Sequence, residues 1–248
     1  LKVWRWVGCF GPEVMLCAAS ARVGVARVSW WAVWDRAQRT LAERTVPGRG
    51  GVEVGEERVR VRDGTVAIDL VLDPRAVDGV DTVSPHGAQY AWTRKRGGVP
   101  MRGSAAIGDR RLEIDARGVI DDSAGYHARH TAWRWSAGVG ALESGEAVAW
   151  NLVAGLHDDP AASERSVWID GAAHEVGPVE FAADLSGVRF AEGGALAFGA
   201  EAARARRERL LIAASDYEQP FGTFTGELPG AGRLAAGWGV MERHAALW

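Results

Sequence analysis

Lysine is almost missing from this chain. Its 29 basic residues include only Lys2 and Lys95 as lysines, and all the others are arginine. That skew reads as a bias of composition rather than as a site. Cysteine is scarce too. Cys9 and Cys17 are the only two, and thiols this few in a 248-residue chain are expected to be reduced core residues. No apolar run approaches the roughly 20 residues a membrane helix needs. The opening "LKVWRWVGCFGPEVMLCAAS" fails as a signal peptide, because Gly11-Pro12-Glu13 interrupts it. The first residue is Leu, so the sequence is read as shortened at its start, and a cytoplasmic location is expected.

Charge of one sign is missing as well. The net charge is -3 with both signs interspersed, which gives no basic face for nucleic acid. The familiar cofactor and nucleophile signatures are absent: no GxxxxGK[ST], no GxGxxG after a strand, no GxSxG elbow, no HExxH and no CxxC. His127 and His130 are three apart, which on a strand turns them to opposite faces. No metal and no cofactor is therefore expected.

What is abundant is tryptophan, 12 residues of 248. Each indole has a large apolar face and one N–H that wants a partner. So many indoles imply an aromatic core or the lining of a large apolar pocket. Around them the pattern is that of short strands. In "ERVRVRDGTVAIDLVL", Val59 and Val61 alternate with Arg60 and Arg62, and Val66, Ile68, Leu70 and Leu72 alternate beyond Asp63-Gly64. Period-two alternation about Asp-Gly predicts a β-hairpin. Gly108-Asp109, Asp170-Gly171 and Gly193-Gly194 punctuate three more pairs of runs. The expected class is all-β, an antiparallel barrel or sandwich. Glu201–Ser215, "EAARARRERLLIAAS", has the best helix propensity. It is expected to be a short helix, or a charged loop leading into a strand at Leu210–Ile212, with its arginines on a solvated face. "LAERTVPGRGGVEVGEE" and "DGVDTVSPHGAQ" read as loops.

The densest chemistry lies in "DDSAGYHARHTAWRWSAG", Asp121 to Gly138. Asp121, Asp122 and Ser123 before Gly125 read as a turn. From Thr131 a strand begins, with Thr131, Trp133, Trp135 and Ala137 on one face. Two readings stay open: a packed interior, or a pocket wall with Asp121, Asp122, Tyr126, His127 and Arg129 at its rim. Further along, Asn151 stands on an apolar strand face and needs partners if buried. Glu164 precedes Trp168, and Tyr217 lies in "SDYEQPFGTFTGEL". Glu242 and His244, i and i+2, share a face as a surface ion pair or as a carboxylate holding an imidazole.

In order, "LKVWRWVG", "VWDRAQRTLAERT", "DDSAGYHARHTAWRW", "AWNLVAG", "ERSVWIDG", "DYEQPFGTFTGEL" and "GWGVMERHAALW" resemble the domain of unknown function 2804 family over nearly the whole chain. The Gly-Tyr-x-x-Arg-x-Thr-x-Trp-x-Trp block and the closing Gly-Val-Met-Glu-x-His block are the most specific parts. Arg165 stands where the family pattern has Asn. That family looks related to the lipocalin-like proteins that include carotenoid 1,2-hydratase, tocopherol cyclase and the AttH-like proteins. The resemblance implies two β-barrel or half-barrel modules side by side, divided here at 1–118 and 119–248, with an apolar small molecule or lipid as partner. It brings no established reaction and no oligomeric state.

The chemistry such a site could do is acid-catalysed hydration, cyclisation or isomerisation of a lipid-like unsaturated substrate. A carboxyl among indoles stays protonated through desolvation and can donate, and the indole faces stabilise the cation. The catalytic candidates are Asp121, Asp122 and His127. Tyr126, Arg129, Trp133, Trp135, Asn151, Glu164, Trp168, Tyr217, Glu242 and His244 are the ligand-binding candidates. The alternatives are a non-catalytic lipid carrier and a structural β-protein with an aromatic core.

Overall fold

The structure, a computed structural model, describes residues 1–86, 89–159, 162–209 and 214–247. Among these the chain is built of strands with a single 3-10 turn at Pro74–Ala76. The first sheet contains β1 (Lys2–Phe10), β2 (Val14–Val23), β3 (Ala26–Asp35), β4 (Thr40–Pro47), β5 (Val52–Val54), β6 (Arg58–Asp63), β7 (Val66–Leu72), β8 (Val80–His86), β9 (Gln89–Ile107) and β10 (Arg110–Gly125). Their order is β4-β3-β2-β1-β10-β9-β7-β6-β5, with β8 pairing β9. The chain crosses to the second sheet between Gly125 and His130. There follow β11 (His130–Leu142), β12 (Ala147–Ala154) and a separate small ladder of β13 (Asp158–Asp159) with β14 (Ala162–Ser163). Then come β15 (Ser166–Ile169), β16 (Ala172–Glu175), β17 (Val179–Phe181), β18 (Gly187–Phe190), β19 (Ala195–Arg209), β20 (Ala214–Leu228) and β21 (Gly232–Leu247). The second sheet runs β16-β15-β12-β11-β21-β20-β19-β18-β17. Every pairing is antiparallel. Two antiparallel half-barrels result, and all four Gly-containing hairpins occur where alternation predicts them.

Three apolar clusters explain the layering. One lies against the first sheet and includes Val7, Cys9, Leu16, Val33, Ile68 and Met101. Another lies against the second and includes Trp150, Leu152, Phe224 and Met241. The third joins the two sheets through Trp6, Phe10, Met15, Trp34, Trp135, Val153, Phe221 and Val240. Central strands therefore bury both faces: Val7 and Cys9 turn to the first cluster while Trp6 and Phe10 turn to the joint. Gly8 fits between those two rings, since a Cβ there would stand 2.2 Å from Trp6. Cys9 and Cys17 are buried free thiols, pushed by burial up to about 12 and about 11.

Several expectations are corrected. Glu201–Arg209 continues β19 and is not a helix. Its charged side chains reach across the joint. Glu201 accepts from Trp34 Nε1 at 2.8 Å and pairs with Arg36 at 2.7 Å. Arg204 is buried and donates to Glu43 at 2.6 Å, so the arginine cluster is only partly a solvated face. Pairing with β20 and these cross-sheet bonds outweigh a helix propensity of tenths of a kcal/mol per residue. Leu210–Ile212 and Trp248 lie outside the described residues. The two expected loops contain β4, β5 and β8: Pro47 ends β4, and Gly48, Gly50 and Gly51 lie in the connection to β5, while Gly87 lies outside the described residues. Asp121–Gly125 is the end of β10 rather than a turn, because it pairs on one side with Lys2–Trp6 and on the other with Ala91–Lys95.

Candidate functional site

A cavity of about 510 Å³ opens where the two half-barrels meet. The first sheet lines it with Trp4, Trp6, Trp30, Glu43, Lys95 and Asp121. The second contributes Trp133, Trp135, Val153, Arg204, Tyr217, Glu242 and His244, and the β12–β15 connection adds His157 and Glu164. Strand alternation explains most of this. On β11, Trp133 and Trp135 share the inward face as expected, and Trp135 meets Trp6 edge-on at 5.0 Å across the joint.

At one end of the polar lining lies a buried ion cluster. Lys95 makes a short hydrogen bond to Asp121 and lies 3.3 Å from Glu164. Burial alone would lower the Lys95 pKa, but the carboxylates beside it more than reverse this and hold it above its usual value. Glu164 goes the other way. Desolvation, assisted by the Asp121 charge and opposed by Lys95, pushes its carboxyl up to about 7. Its Oε2 and the neighbouring Thr93 hydroxyl are both buried without a well-formed hydrogen bond. The Glu164 backbone is fixed by a relay: Trp135 Nε1 donates to Asn151 Oδ1, and Asn151 Nδ2 donates to the Glu164 carbonyl, both at 2.8 Å. Beside it, His157 holds a left-handed backbone, φ 52°, which is strained for a residue with a side chain. Its Nδ1 lies 2.7 Å from Ser84 Oγ. Burial and the Lys95 charge bring its pKa down to about 4, so the ring is neutral near pH 7.

A second carboxyl belongs to β21. Glu242 accepts from Trp133 Nε1 and from Gln219 Nε2, each at 2.8 Å. Burial raises it to about 7 in spite of those two bonds. His244, expected to be Glu242's partner, instead meets Ser215 Oγ at 2.8 Å and lies tilted against Trp133 at 4.4 Å and edge-on to Tyr217 at 5.3 Å. Burial lowers its pKa to about 4.

The remaining candidates fall elsewhere. Asp122 points from the opposite face of β10 and binds Arg5 at 2.8 Å. His127 is outside the cavity lining, packed against Trp4 at 4.7 Å and His157 at 5.4 Å. Tyr126 and Arg129 are exposed. Trp168 is buried in the joint, donates to the Asp78 carbonyl and covers Gly97. Lys95, His157, Arg204, Gln219, Trp6 and Trp30 were not singled out from sequence. Lys95 carried a signal, as one of two lysines in an arginine-dominated chain; His157 carried none.

The family model for the domain of unknown function DUF2804 matches residues 47–248. The chain belongs to the DUF2804 family. No curated protein matches it in sequence. Solved structures share the fold of this DUF2804 chain at low identity. An AttH-like protein from Nitrosomonas europaea aligns with TM-score 0.65 and 14% identity, over 98% of this chain and 91% of its own. Kievitone hydratase from Nectria haematococca aligns with TM-score 0.68 and 13% identity, over 97% and 88%. Two side-by-side half-barrels are thus an arrangement shared with a hydratase. Among the described residues no helix is long and apolar enough to cross a membrane.

Proposed function

We propose that this chain is an acid–base enzyme that protonates a carbon–carbon double bond of an apolar small molecule and so hydrates, cyclises or isomerises it. The observation that carries this reading is Glu164, a fully buried carboxyl raised to about 7 on the wall of an indole-lined cavity. A group with that pKa is half protonated near neutral pH, where general acid catalysis is most effective. The fold likeness to a hydratase fits the same chemistry but does not bring its substrate.

In a hydration, the proton on Glu164 passes to one alkene carbon, forming a C–H bond as the π bond breaks. Indole faces of Trp6, Trp133 and Trp135 stabilise the carbocation, each by roughly 0.5–2 kcal/mol. Water adds to the cation, and its proton leaves to Glu242. Glu242 suits the base role because both its oxygens accept N–H bonds, which favour the carboxylate. Proton exchange with solvent returns both carboxyls to their starting states. Asp121 is taken up by Lys95 and frames the acid. Asp122 and His127, catalytic candidates from sequence, have no part in this scheme.

Carriage without chemistry is the rival reading, and it has no use for two titrating carboxyls in the wall. Incubation with a panel of terpenoid and phenylpropanoid alkenes in D₂O decides between them. Each of the three reactions installs a C–D bond, read by mass spectrometry, and Glu164→Gln abolishes the incorporation. Tight binding of panel members with no deuterium gained in any of them would refute the enzyme reading.

A further inference from the structure

The cavity wall has more unused donors than unused acceptors. Trp30 Nε1 and Arg204 Nη1 are both buried without a hydrogen bond. The Tyr217 hydroxyl also has no hydrogen-bond partner among the described residues. All three residues line the cavity. They are neighbours in space. Trp30 is in register with Thr45, whose hydroxyl accepts from Arg204 Nη2 at 3.2 Å, and the Arg204 guanidinium lies 5.7 Å over the Tyr217 ring. Native proteins rarely leave buried donors unpaired, and a group of them at a cavity calls for an acceptor. The acceptors beside Arg204, Glu43 and Thr45, take its Nε and Nη2, and the nearby Cys17 thiol is a weak acceptor.

We infer that Trp30, Arg204 and Tyr217 form an oxygen-recognising subsite, and that the ligand is a neutral, carbonyl-bearing apolar molecule rather than a hydrocarbon or a carboxylate. Charge argues for the neutral group. The Arg204 cation is already balanced by Glu43 at 2.6 Å. The other lining charges balance as well, Arg22, Arg44, Lys95 and Arg206 against Asp121, Glu164, Glu208 and Glu242, so no excess of positive charge invites a carboxylate. A carbonyl oxygen takes hydrogen bonds from all three donors without needing a counter-ion. The guanidinium is fixed by Glu43, Thr45 and the phenol face, so its fork is already oriented. This inference rests on the cavity being a ligand site, but not on the chemistry proposed for it.

Three rod-shaped probes test it: trans-stilbene, 4-acetyl-trans-stilbene and trans-stilbene-4-carboxylate. Each is titrated against the wild type and Tyr217→Phe by quenching of tryptophan fluorescence. The acetyl probe is expected to bind the wild type about 2- to 10-fold tighter than stilbene, the range of one net hydrogen bond, and the carboxylate weakest. Tyr217→Phe, which removes one oxygen and keeps the ring, should erase most of that advantage and leave stilbene unchanged. Equal binding of stilbene and its acetyl derivative overturns the subsite alone. So does a preference for the carboxylate, or an undiminished acetyl advantage in Tyr217→Phe. If no probe binds, the ligand-site reading of the cavity falls and the subsite falls with it.

Discussion

Replacing Glu164 by Gln should change how stability depends on pH more than it changes stability itself. The side chain keeps its volume, but it can no longer ionise. In the wild type the carboxyl is raised by burial from 4.5 in a free chain to about 7. A folded-state pKa above the unfolded one means the native state holds the proton more tightly. That stabilisation is complete below the unfolded pKa and is lost as pH rises through the folded value. Each pKa unit is worth about 1.4 kcal/mol, so the total is about 3 kcal/mol, most of which lies between pH 5 and pH 8. The fully buried position leaves little solvent screening to discount. Other groups titrate in the same window, among them Glu242, and they cancel when the variant is compared with the wild type at each pH. Urea unfolding at the two pH values is the assay. The stability difference between Glu164→Gln and wild type should move by about 2–3 kcal/mol in favour of the variant on going from pH 5 to pH 8. Parallel pH profiles would refute the raised carboxyl, and with it the basis for Glu164 as a proton donor.

Other substitutions test the frame. Lys95→Met leaves Asp121 and Glu164 buried without their cation, an expected loss of about 3–5 kcal/mol near pH 8. The loss should shrink on acidification, as measured by the same unfolding curves, because protonating the two carboxyls removes the unpaired charge. Trp135→Phe strips the donor from Asn151 Oδ1 and should lower stability by about 1–3 kcal/mol in thermal melts. Gly97→Ala places a Cβ 2.3 Å from the Trp168 ring, so the half-barrels must separate slightly. It should destabilise by about 1–3 kcal/mol, whereas Gly64→Ala, whose Cβ meets nothing, tests backbone strain alone.

Local pattern made the strands and hairpins legible. Alternation about Asp63-Gly64 or Gly193-Gly194 needs only a few consecutive residues to be read. What alternation cannot report is which of two buried faces meets which neighbour. On β10 it separates Asp121 from Asp122 but does not say which one looks into the joint. The answer depends on Lys95, 26 residues earlier, and on Trp6 beside it in the register. Glu201–Arg209 departs from its helix propensity for a related reason. Its helix propensity is local, while its partners Trp34, Arg36 and Glu43 lie more than 160 residues away.

The same non-locality shapes the site. Glu164 and Glu242 were both visible as candidates, but the property that makes them useful was not. Neither is raised by a neighbour in sequence. Glu164 is lifted by being enclosed between two sheets, and its backbone is held by Asn151, which is held in turn by Trp135 of the aromatic wall. That relay couples acid to cavity: a change in the indole packing that moves Trp135 also moves the carbonyl of the acid. On the proposed reading, the wall that would shelter a cation therefore also sets where the proton donor would stand. On the same reading, ligand preference could change through Trp30, Arg204 and Tyr217 while Trp135, Asn151 and Glu164 stay untouched, because no hydrogen bond links the two groups among the described residues.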